Sequence, residues 1–183
     1  MKKMKILTVG TLAVLMLSIP FFMRYTSQKK PLQNLSRIIE RGRICDLRLT
    51  IYYISPHILT NRPWDVETLI DNCTYTILID GKQLEDNVDL LSQFCRVDLV
   101  PIALNEVSCL DARIHYIIET NAGKKILDVS MWGFRGDIDS IYVNGVEIEG
   151  RYAFYEILMP FLPDDATESL EKYISMWPCY EKR

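Results

Sequence analysis

With 183 residues, 49% of them hydrophobic and 25% charged, the chain has room for one globular domain plus an appendage. Its net charge of −3 is unevenly spread: +8 through Arg43 and −11 from Ile44 onward. An acidic globular part excludes nucleic acid as the main partner, because phosphate binding needs clustered Lys and Arg.

Lys2, Lys3 and Lys5 precede an uncharged run from Ile6 to Met23, closed by Arg24. That run reaches the lower limit of about 17 residues for a bilayer-spanning helix. Bulky Phe21, Phe22 and Met23 stand where signal peptidase needs small residues, so residues 1–24 read as an uncleaved signal anchor. The membrane is therefore an expected partner through residues 6–23. A short Lys-rich tail before one apolar run is the pattern of an export signal, which places the large domain outside the cytoplasm. A count of flanking positive charges argues for the opposite orientation.

Residues 25–43 read as a basic juxtamembrane linker, broken by Pro31, with a short amphipathic helix through Leu35, Ile38 and Ile39. Residues 44–183 read as a single α+β domain. Ile44 to Ile54 alternates as a strand. Asn61 and Pro63 lead into a helix with Val66, Leu69, Ile70 and Cys73 on one stripe. Thr74 to Ile79 is a second strand, Leu84 to Cys95 a helix, and Val97 to Leu104 a short extended piece interrupted by Pro101.

The core of the reading is residues 112–149, a four-stranded antiparallel meander that forms the platform for helices packed mainly on one face. In its first hairpin, pairing Asn121 with Lys124 sets Ile118 opposite Leu127, Tyr116 opposite Val129 and Ile114 opposite Met131. A slip by one residue would bring Asp128 into the apolar face, at a high desolvation cost. In the second hairpin, Asn144-Gly145 between alternating apolar residues pairs Val143 with Val146 and Ile141 with Ile148. Tyr152 to Leu162 then predicts a buried helix. Asp164 or Asp165 caps a last helix with Ala166, Leu170, Tyr173, Ile174 and Trp177 inward.

The same register gathers the chemistry-bearing residues on the polar sheet face. Arg113, His115 and Glu119 share it with Asp128, Ser130 and Trp132, and Arg113 falls opposite Trp132. His115 falls opposite Ser130, with Asp128 diagonal to it. A Ser/His/Asp set invites a hydrolase reading, but no G-x-S-x-G turn accompanies it. A polar face with a Trp and an Arg suits recognition better. Trp132, Arg113, His115, Asp128 and Ser130 are therefore candidate ligand- or partner-binding residues.

The five cysteines form no C-x-x-C pair, Asp137 and Asp139 lack the rest of a calcium loop, and no glycine loop cradles phosphate. No cofactor or metal is expected. Arg135-Gly136-Asp137 is a three-residue match with little weight. The leading reading is a membrane-anchored extracytoplasmic domain that binds a protein partner or ligand without catalysis. Its rivals are an anchored hydrolase using the His115, Ser130 and Asp128 face, and a cytoplasm-facing tethered regulatory or scaffolding domain.

Overall fold

The structure is a computed structural model that describes residues 30–102, 111–132 and 140–176, without the side chains of Trp132 and Ser140. The expected span at residues 6–23 lies outside these. Among the described residues no helix is long and apolar enough to cross a membrane.

The fold is α+β, built on one antiparallel sheet. Its strands are β1 (Leu47–Tyr53), β2 (Tyr75–Ile79), β3 (Ala112–Thr120), β4 (Lys125–Trp132), β5 (Ser140–Val143) and β6 (Val146–Glu149). They lie in the order β2-β1-β3-β4-β5-β6, so the meander forms two thirds of the sheet and the β1–β2 pair adds to its β3 edge. The helices are α1 (residues 30–40), α2 (Val66–Asn72), α3 (Gly81–Glu85), α4 (Val88–Phe94), α5 (Ala153–Glu156) and α6 (Asp164–Ser175).

Period-two alternation explains the core. Leu47, Leu49, Ile51 and Tyr53 of β1 are fully buried with Ile114, Tyr116 and Ile118 of β3 and Leu127, Val129 and Met131 of β4. The helices α1 and α3 to α6 send their apolar side chains into this same cluster. Phe94 of α4 meets Phe154 of α5 edge to face, with ring centroids 5.1 Å apart. Only α2 packs elsewhere: Leu69 joins Ile54 and Ala112 in a second, smaller cluster.

The second hairpin has the expected register throughout, from Val143 opposite Val146 to Ser140 opposite Glu149. Asn144 and Gly145 both take positive φ, 49° and 78°, as a two-residue type I′ turn requires. In the first hairpin the three apolar pairs form as expected, but the turn end differs. Thr120 N–H donates to Lys124 O, and Gly123 (φ 79°) closes a three-residue loop. Glu119 then faces Lys125, so Ile126 is an extra residue on β4 and turns into the main core.

Four helices differ from the sequence reading. The one expected over Tyr152 to Leu162 is α5 and a separate 3-10 turn at Met159–Phe161. From residue 30 the expected linker is part of the domain: α1 runs through Pro31, and Leu32 and Leu35 are buried in the main core. The helix expected over Leu84 to Cys95 is two helices, α3 and α4, broken at Asp86-Asn87. In α3 a capping box links Asp80 and Gln83, and Gly81 lies so close to the Cys45 backbone that a Cβ would come within 2.4 Å of its Cα. At the last helix neither Asp164 nor Asp165 is the cap; Pro163 holds that position and both acids sit in the first turn, where the helix dipole favours them.

Candidate functional site

On the face opposite the main core, paired residues form a polar row across five strand contacts. Thr76 faces Tyr52, Tyr52 faces His115, His115 faces Ser130, Ser130 faces Tyr142, and Tyr142 faces Glu147. Alternation alone would leave such a face open to solvent. Instead His115, Ser130 and Glu147 are at most 5% exposed. Buried polar groups must find partners, and here they find one another across the strands.

At the centre, the His115 ring stacks on Tyr52, with centroids 5.9 Å apart and planes 22° from parallel. Its Nδ1 lies 3.0 Å from Ser130 Oγ and 3.7 Å from Asp128 Oδ1. Asp128 also takes the ammonium of Lys125 at 2.6 Å. The Tyr142 hydroxyl donates to Glu147 Oε2 at 3.2 Å. Burial is the main influence on His115 and lowers its pKa; Asp128 opposes this and Lys125 adds to it.

This geometry determines what the trio can do. A charge-relay triad needs the serine on one ring nitrogen and the carboxylate on the other. Here Ser130 and Asp128 both face Nδ1, so the carboxylate does not hold the ring by the nitrogen opposite the serine and does not fix the tautomer a general base needs. The arrangement suits a hydrogen-bonded, neutral imidazole held in place.

Arg113 is not opposite Trp132. The register shifts between Ala112 and Ile114, so Ala112 faces Trp132 and Arg113 is the extra residue of a β-bulge. Its guanidinium grips both carboxylate oxygens of Asp111, at 2.5 and 2.9 Å, and donates to Thr60 Oγ1 at 2.9 Å. The indole beneath it belongs to Trp64, 5.6 Å from ring centroid to Cζ. Trp64 is itself tied in, its N–H donating to Asp111 and its carbonyl accepting from Ala112 N–H. Arg113 therefore fastens the loop between β1 and α2 to the end of β3, and its charge is committed there.

Of the five candidates, the structure brings His115, Ser130 and Asp128 together and assigns Arg113 to a separate cluster. The side chain of Trp132 lies outside the described residues. Tyr52, Trp64, Asp111 and Thr60 were missed. The alternation of β1 already put Tyr52 on the polar face, but nothing in the sequence paired β1 with β3. His57 is exposed and packs edge-on against Tyr173, with centroids 5.9 Å apart. Cys109 and the stretch Arg135-Gly136-Asp137 with Asp139 lie outside the described residues. Among the described residues no group of three or more His, Cys, Asp or Glu side chains could hold a metal ion. Comparison with protein-family models, curated proteins and solved structures gives no match to this chain.

Proposed function

We propose that this chain is a membrane-tethered, non-catalytic binding protein. Residues 6–23 hold it in the bilayer, and the domain faces away from the cytoplasm. The polar sheet face around His115, Ser130 and Asp128 engages a protein partner or ligand through its half-buried members Tyr52, Asp128 and Tyr142, which adjoin the buried His115 and Ser130. The observation that carries the binding reading is the row of polar side chains across the sheet, buried at His115, Ser130 and Glu147 and half-buried at Tyr52 and Tyr142. Such a row costs more to bury than apolar residues of similar size, which favours a role in recognition over packing alone. The shared Nδ1 contact supports the absence of catalysis. The uncharged run from Ile6 to Met23 supports the tether.

A serine-reactive fluorophosphonate probe separates binding from hydrolysis. The proposal expects no adduct at Ser130 in the native protein; an adduct there, lost in His115→Gln, would establish the hydrolase instead. Orientation is tested by a reporter fused after Arg183 that is active only outside the cytoplasm. A silent reporter on a protein present in full amount would favour the regulatory or scaffolding reading.

A further inference from the structure

The two edges of the sheet are unlike. Beside β6 runs the segment 100–102: Glu149 N–H donates to Val100 O at 2.8 Å, Ile102 N–H donates to Glu147 O at 3.3 Å, and Pro101 bridges to Ile148. A proline there removes a donor and blunts that edge against further pairing. The other edge is β2, whose only strand neighbour is β1. Tyr75-Thr-Ile-Leu-Ile79 contains no charge and no proline, the devices that protect an open edge. Leu78 is 65% exposed on its polar face. The neighbouring helices leave the outer backbone of this edge open: α3 turns back onto β1 and the 3-10 turn Ile44–Asp46, α6 reaches β2 from the core side, through Tyr75 Oη to Asp165, and α2 ends on the polar face, where Cys73 Sγ lies 3.2 Å from Thr76 Oγ1. Among the described residues nothing bonds to the outer backbone of β2.

We infer that β2 pairs with β2 of a second copy of this chain, antiparallel about a two-fold axis at Ile77, to make one sheet of twice the width. The strand fits itself in this register. Tyr75 meets Ile79 of the second copy, Thr76 meets Leu78, and Ile77 meets Ile77. These are aromatic–aliphatic and β-branched pairs of the kind that stabilise strand pairing, and no like charges are opposed. At the ends, Thr74 meets Asp80. An antiparallel two-fold contact is self-complementary by construction, so every donor on one edge finds an acceptor on the other. This inference does not depend on what the polar face binds.

The test uses the full-length chain in detergent across a concentration series, with mass read by sedimentation. The wild type is expected to be a dimer. Thr76→Lys with Leu78→Lys places Lys opposite Lys at both positions and is expected to give monomers; the matching pair of Glu substitutions should do the same. Mixing the Lys chain with the Glu chain should restore the dimer, an outcome general misfolding cannot produce. A monomeric wild type at all concentrations overturns the inference, as does a Lys chain that stays dimeric. A wild type that dimerises only after removal of residues 1–29 overturns it too, because the chain's own N-terminal segment would then be the occupant of β2.

Discussion

Tyr116 sits at the centre of β3 with its hydroxyl in the main core, the one buried side-chain polar atom among the described residues without a hydrogen-bond partner. Burial pushes its pKa well above the ordinary tyrosine value. An orphaned hydroxyl is a desolvation cost with no return, so Tyr116→Phe should stabilise the fold by about 1 kcal/mol, read as a higher urea midpoint. A lower midpoint would mean the hydroxyl has a partner in solution. His115 behaves differently. Its folded-state pKa is depressed, so the unfolded chain binds its proton more readily. Stability is then complete above about pH 6.5 and declines as pH falls from there through the lowered folded value. His115→Gln should flatten that part of the melting-temperature profile; an unchanged slope would assign the proton uptake to another group. Cysteine reactivity follows burial as well. Burial, with Glu40 nearby, pushes the Cys95 thiol up to about 12, whereas Cys45 is exposed. Of these two, alkylation of native protein near neutral pH should label Cys45 and reach Cys95 only on unfolding.

The hairpins show which parts of the fold could be read from sequence. Val143 opposite Val146 and Tyr116 opposite Val129 followed from alternation and the cost of burying Asp128. The bulge at Arg113 did not, because it is fixed by Asp111 gripping Arg113 and by Trp64, 47 residues earlier, bonding to Asp111. Long-range contacts of that kind leave no local periodicity. The burial of the polar face was equally hidden, since alternation separates two faces without stating what covers either. The start of α3 at Gly81 brings a close contact that apolar spacing does not report: Gly81 lies against the Cys45 backbone. Gly81→Ala should therefore cost about 1–3 kcal/mol as an overpacking change, even though Ala is the better helix former. A neutral or stabilising result in thermal melts would show that α3 can slide outward. The register has its own test: Val129→Asp should prevent folding, while Asp128→Val should cost far less, because its carboxylate is half-buried and its ion-pair partner Lys125 is exposed.

The domain begins earlier than charge patterning implied, and this changes where the chain can be cut. Basic residues such as Arg37, Arg41 and Arg43 made residues 25–43 resemble a linker, yet they are exposed on a helix or on the turn after it while Leu32 and Leu35 face the core. The stripe through Leu35, Ile38 and Ile39 was legible, but the basic residues beside it pointed to the membrane surface, and Leu32 was not counted in it. Burying a leucine is worth about 1.5–3 kcal/mol, against a typical total stability of about 5–15 kcal/mol. Removing both leucines, together with the half-buried Ile38 and Ile39 that pack beside them, would take away a large share of that total. Two truncations separate the boundaries. A chain starting at residue 30 keeps α1 and should be soluble, with a cooperative melt, once the apolar run at residues 6–23 is gone. A chain starting at Ile44 should melt far lower or fail to fold. If both melt alike, α1 contributes nothing to the core and the linker reading of residues 25–43 stands. If the longer chain stays with membranes after alkaline washing, the domain itself binds lipid and residues 6–23 are not the sole tether.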